Sequence, residues 1–247
     1  MRFPRVKADG QGYYHCVSRV VEGRFIFEVS GHGSVEAERF IMLMRCLEAF
    51  SGARVLTYVL MSNHFHLLCE RFKSVLLEGG EALAAVAAYI ELNPVRAGLR
   101  TDPKDYRYSG YAETLAKGSL LARQGIRTIL GQPETISWKE LSREYRKYLF
   151  VKGSSRSANK PPAFDLATVQ RVVEEQNGEL PLPQRLLCRI RYFTDGVILG
   201  SQGFVESHFD RLKQKLGYRR HRTATCLTAL GSPALWVFRD PRVRVSD

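Results

Sequence analysis

His64 and His66 flank a single residue, Phe65, in the run HFHLLCE at 64–70. The run alternates like a strand, and alternate residues of a strand leave the same face. Two imidazoles about 6.6 Å apart at Cα by the strand rise can share one divalent cation, while Phe65 and Leu67 point into a core. Two ordinary surface histidines would show the same pattern. Further on, Tyr89 and Asn93 stand at i and i+4 of a helix, about 40° apart on the wheel, beside a core stripe of Leu83, Val86 and Ile90. A phenol is a nucleophile, and an amide oxygen suits a hard cation such as Mg²⁺ or Mn²⁺. The plainer reading makes Tyr89 an amphipathic residue at a core edge and Asn93 the cap of a helix that ends before Pro94.

The elements that carry these residues follow from pattern. YYHCVSRVV at 13–21 is aromatic and β-branched, and predicts a first strand. Over 35–50 the apolar residues Phe40, Leu43, Met44 and Leu47 recur at helical spacing, with Ser34 as N-cap and Gly52 as the stop. VLTYVLM at 55–61 predicts a central strand, and Ser62-Asn63 a tight turn into the histidine strand. RFKSVLL at 71–77 is also strand-like, yet no turn residue separates it from the preceding strand. One strand over 64–77 would far exceed the usual five or six residues, so a bend is expected near Glu70-Arg71. Gly79-Gly80 then precede EALAAVAAYIELN, a helix that Pro94 ends or kinks. This order predicts an α+β sandwich with an antiparallel sheet and packed helices. After DPKDYRYSGYAE (102–113) comes a short polar segment, then a helix over 137–150 with Ser137 and Glu140 as a capping box.

Four segments resemble one family in order and type. M-S-N-His64-F-His66-L-L after an apolar strand, then Tyr89-I-E-L-Asn93-P-V-R-A-G, with YYHCVSRV before and DYRYSGYAE after, are similar to the single-tyrosine HUH transposases, in the branch called REP-associated tyrosine transposases. The likeness covers roughly residues 3–113. It implies a ferredoxin-like fold, Mg²⁺ or Mn²⁺ held by His64 and His66, Asn93 as a third ligand, and Tyr89 as the nucleophile toward DNA. The implied substrate is single-stranded DNA folded into a hairpin, cut through a 5′-phosphotyrosine and rejoined without ATP. Relatives of this kind include dimers and monomers, so either a homodimer or a monomer fits. At Glu70/Arg71 the chain departs from the family, which carries an additional helix and loop there. The departure implies an internal deletion that exposes apolar surface and keeps Tyr89 from the metal, so a decayed relic that only binds DNA is the alternative.

Charge supports a polyanionic partner. The 247 residues hold 37 Lys and Arg against 25 Asp and Glu, a net charge of +12 and a pI near 9.7. Arg211, Lys213, Lys215, Arg219, Arg220 and Arg222 lie within twelve residues with no acid among them. A solvated helix face and a DNA contact both fit that cluster, and six phosphate contacts would give a log-log salt slope of roughly −5. Arg19, Lys73 and Arg96 are further DNA-contact candidates, each with a plain surface or helix-capping alternative. Tyr106, Tyr108 and Tyr111 either stack bases or pack a loop. Five scattered cysteines without a C-x-x-C pair read as reduced thiols, and no segment is apolar enough to span a membrane. A cytoplasmic, nucleoid-associated protein is therefore expected. The expected units are a catalytic domain over 1–115, a helical extension over 116–152, a linker at 153–162, and a basic, mainly helical DNA-binding region over 163–247. A metal-dependent hydrolase barrel is disfavoured because His15, His32, His208 and His221 stand in no ligand motif and no strand-helix repeat is present.

Overall fold

The computed structural model describes residues 6–8, 10–27, 33–70, 75–116, 119–153, 196–216, 224–226 and 235–239. The first strand, β1 (Tyr13–Arg19), is followed by the long helix α1 (Val35–Ser51). Ser34 caps α1 as its residue type predicts, its hydroxyl accepting from the Ala37 amide at 3.2 Å. Gly52 closes the helix at φ 67°, where any side chain would strain the backbone. β2 (Arg54–Met61) and β3 (His64–Glu70) then form the expected hairpin through Ser62-Asn63. β4 (Val75–Leu77) leads into α2 (Glu81–Glu91). Pro94 acts as its ring dictates: α2 stops, and a short helix α3 (Asn93–Arg96) takes Pro94 in its first turn, where no N–H partner is needed.

Two helices fill what reads as loop and polar segment in the sequence. α4 (Gly110–Leu115) and α5 (Leu120–Leu130) precede α6 (Trp138–Gly153). The capping box of α6 is reciprocal: Ser137 Oγ accepts from the Glu140 amide at 3.3 Å, and Glu140 Oε2 accepts from the Ser137 amide at 3.2 Å. α5 lies so close to β2 that a Cβ on Gly125 would stand 2.8 Å from the Leu56 carbonyl carbon.

Among the described residues of the C-terminal region, the expected helix is joined by strands that the sequence reading did not place. The region contributes β5 (Gly196–Gly200), α7 (Gln202–Leu216), β6 (Thr225–Cys226) and β7 (Trp236–Arg239). Among the described residues seven strands form one sheet in the order β2-β3-β1-β4-β5-β7-β6, so β2, expected to be central from its apolar run, is an edge strand made apolar by the helices packed on it. The fold is α+β, but the sheet is mixed, since β4 and β5 pair in parallel through Leu76/Ile198 and Leu77/Leu199. Parallel pairing requires a long connection, which the chain between these strands supplies. The short apolar run GVILG thus becomes a strand, a choice that periodicity alone cannot make for so short a stretch. The expected linker lies outside the described residues apart from Gly153, which ends α6, as do Arg71 and the rest of the segment 71–74.

Strand alternation divides the sheet into two faces. Register places Val17 opposite His66 and Arg19 opposite His64, so His15, Val17 and Arg19 share the histidine face. α2 covers this face, with α4, α5 and α6 packed around it and Leu56, Val59, Leu68, Val86 and Ile90 in the core. On the opposite face α7 packs Val205 into a cluster with Tyr14, Cys16, Cys69 and Ile198, while α1 packs Met44 against Val55 and Tyr58. The histidine face is therefore interior at His15 and His66 and open at Val17 and Arg19, and Phe65 and Leu67, expected in the core, are only half-buried. Cys16 and Cys69 lie with sulfurs 3.7 Å apart as free thiols. Among the described residues no helix is long and apolar enough to cross a membrane.

Candidate active site

β3 presents His64 and His66 from one face, ring centroids 5.1 Å apart. β1 adds a third imidazole. His15 Nε2 lies 3.0 Å from His66 Nδ1, and the two rings are nearly parallel, with centroids 5.2 Å apart and planes 16° apart, as an in-plane hydrogen bond allows. α2 then lays Tyr89 over the pair, its ring edge-on at 5.7 Å from His66 and 6.1 Å from His15. Tyr89 is reached by the periodicity of an Ala-rich helix whose small side chains let α2 approach the sheet closely. The expectation that shortening at Glu70/Arg71 displaces Tyr89 from the histidines is thus not met: β4 returns to pair with β1 at Tyr13–His15, and α2 crosses the histidine face.

Burial grades across the cluster. His15 is fully enclosed, His66 is 3% exposed and Tyr89 6%, whereas His64 is half-buried and Arg19 exposed. Solvent and any large ligand must therefore enter from the His64 and Arg19 side. Burial, reinforced by the charges of His15, His64 and Arg19, lowers the basicity of His66 to about 2. Burial and then Arg19 lower that of His64. Both imidazoles are neutral at pH 7, the form in which a ring nitrogen offers a lone pair to a metal.

The helix end behind Tyr89 supplies the polar groups. Asn93 donates from Nδ2 to the carbonyls of Tyr89 at 3.0 Å and Ile90 at 3.2 Å, which leaves its amide oxygen outside those bonds. Arg96 donates to the Tyr89 carbonyl at 3.4 Å, and its guanidinium carbon lies 5.9 Å from the Tyr89 ring centre. Burial depresses the Arg96 pKa, opposed by the Tyr89 phenol. Among the described residues Arg96 has no ion-pair partner. The bond to the Tyr89 carbonyl is the helix-end contact that stood as the alternative to a DNA-binding role for Arg96.

Two neutral imidazoles are donors for a divalent cation, and a hard one would need added oxygen ligands. His64 Nδ1 is 2.8 Å from Asn63 Oδ1, a carbonyl oxygen that only accepts, so the proton sits on Nδ1 and Nε2 carries the lone pair. No group of three or more His, Cys, Asp or Glu among the described residues is arranged as a metal cage. A cation here would accordingly rely on His64, His66 and an oxygen ligand such as the Asn93 amide.

The remaining sequence-predicted residues divide. Arg19 stands directly across from His64. Arg211 is exposed on α7, which covers the face of the sheet opposite the histidines. Lys213 and Lys215 continue that helix in backbone, and their side chains, like Lys73, Arg219, Arg220 and Arg222 altogether, lie outside the described residues. Tyr106, Tyr108 and Tyr111 are buried and pack rather than stack: Tyr106 donates to the Leu60 carbonyl at 2.5 Å, and Tyr108 accepts from the Ser34 amide at 2.7 Å. His15 is the site residue that motif reading passes over. Its signal is only that it sits on a neighbouring strand at the parity of Val17 and Arg19. No protein-family model, curated protein or solved structure matches this chain.

Proposed function

We propose that this chain is a single-tyrosine HUH transposase with a ferredoxin-like catalytic core, which cuts and rejoins single-stranded hairpin DNA. The observation that carries this reading is Tyr89 lying against His66, with Arg96 beside its ring and His64 opening to solvent. His64, His66 and Asn93 would hold Mg²⁺ or Mn²⁺, which supplies positive charge that polarises the scissile phosphate. Arg19, exposed next to His64, binds the incoming backbone, and Arg96 offsets charge on the phosphoryl oxygens. Tyr89 Oη loses its proton and bonds to phosphorus. The bond from phosphorus to the 3′-oxygen breaks, that oxygen takes up a proton, and the products are a 5′-phosphotyrosine and a free 3′-hydroxyl. Because the phosphotyrosine conserves the energy of the diester, a 3′-hydroxyl can reverse the attack and join strands. The basic residues from Arg211 to Arg222 would hold DNA away from the cleavage site.

The test is a denaturing-gel assay on labelled hairpin DNA with Mn²⁺, comparing wild type, Tyr89→Phe and His64→Ala. The expected result is a covalent protein-DNA band that needs the metal and is absent from both variants. Folded wild type that binds DNA without forming the band, with hairpins flanking its own gene among the substrates, would instead be a DNA-binding relic.

A further inference from the structure

We propose that His15 is a positioning residue for this site: it accepts the Nδ1 proton of His66 and so holds His66 in the tautomer that turns its Nε2 lone pair toward a cation. The inference rests on the metal reading given above and names the residue that prepares one of its ligands.

The 3.0 Å contact between His15 Nε2 and His66 Nδ1 needs one proton between the two nitrogens. If His15 donated it, His66 would carry its own proton on Nε2 and turn an N–H toward the site. If His66 donates it, His66 Nε2 presents a lone pair. His64 shows which arrangement the site is built for, since Asn63 Oδ1 fixes its proton on Nδ1 and its lone pair on Nε2. Two histidines of one H-x-H strand can share a cation only when both present lone pairs. The partner of a ligating imidazole, bonded through its other nitrogen, commonly sets tautomer and ring angle in this way.

The setting makes His15 rigid enough for the task. It is fully enclosed on a strand paired on both sides, with β3 and β4, and its ring is nearly parallel to that of His66 and edge-on to Tyr89. A buried imidazole costs free energy unless its nitrogens are bonded, and the His66 contact bonds one of the two nitrogens of His15. Cross-strand register puts it diagonal to His66 rather than in the H-x-H row, a place from which it orients a ligand instead of joining the row.

The tautomer is read directly from ring ¹⁵N chemical shifts of metal-free wild type. Nδ1–H on His66 is expected, and Nε2–H as the main form overturns the proposal. Isothermal titration with Mn²⁺ then compares wild type with His15→Phe, which keeps a ring without an acceptor, and His15→Gln, which places an amide oxygen near the lost Nε2. The dissociation constant should rise about 10–100-fold in the Phe variant and recover most of the way in the Gln variant. Equal affinity in all three overturns the proposal, as does direct coordination of metal by His15 itself. Should His15→Phe fail to fold, the wild-type tautomer and the Gln variant decide. Wild type that binds no Mn²⁺ overturns the metal reading on which the proposal rests, whereas wild type that binds Mn²⁺ but carries the His66 proton on Nε2 when metal-free overturns the proposal alone, so the two failures are distinct.

Discussion

The Tyr89 ring stands at 89° to the His66 imidazole, with 5.7 Å between centroids, so a helix residue and a strand residue meet edge to face across the sandwich. In the proposed reaction the phenol would contribute chemistry beyond its packing. Tyr89→Phe keeps the ring and its contacts, and its stability should stay within about 1.5 kcal/mol of wild type, the usual net worth of one hydrogen bond. The covalent DNA adduct should vanish. A variant that melts like wild type yet still forms the adduct would move the nucleophile elsewhere.

Glu91, two residues on, faces the other way. It is fully buried, its Oε1 accepting from the Thr57 hydroxyl and from the Tyr111 amide at 2.9 Å, with Oε2 buried and unpartnered. Burial raises its pKa to about 8 against the hydrogen bonds from Thr57, Ser109 and Tyr111. Between the ordinary carboxylate value of 4.5 and about 8 the unfolded chain has released this proton and the folded chain keeps it. Stability from this group is therefore full below that window, falls by up to about 1.4 kcal/mol per pH unit across it, and is level above. Glu91→Gln should remove most of the fall. Urea midpoints at pH 5 and pH 8 for both proteins check this, and equal losses would contradict a protonated Glu91.

Gly125 lets α5 rest on the β2 backbone. A methyl group at that position meets the Leu56 carbonyl of β2, the edge strand, so the clash is relieved only by shifting α5 or the pairing of β2 with β3. Gly125→Ala should destabilise the fold by about 1–3 kcal/mol despite the higher helix propensity of Ala. A thermal melt that rises instead would show that α5 stands off the sheet.

Replacing Arg211, Lys213 and Lys215 together by Ala should lessen the log-log salt slope of single-stranded DNA binding by about 2, at roughly 0.7 per phosphate contact. Because α7 covers the face away from His66, adduct formation at saturating DNA should persist. An unchanged slope would leave these residues as a solvated helix face.

Local chemistry made several elements legible in the sequence. Ser34, Gly52, the Ser62-Asn63 turn, the Ser137/Glu140 box and the Pro94 break act within a few residues of themselves, and each stands where its residue type places it. The same-face relation of His64 and His66 follows from strand alternation alone. α4 and α5 were hidden because Gly110 and Gly125 weaken the helical pattern, and both glycines are there for contact with β2. His15 joining His66, Tyr89 reaching both, and GVILG pairing with β4 depend on register between strands distant in the chain. Periodicity says which face a residue takes within its own strand, but only the packed sheet decides which neighbour that face meets. Burial along β3 has the same origin: His66 is interior because α2, with its small Ala residues, seats on the histidine side, while His64 and Phe65 are both half-buried.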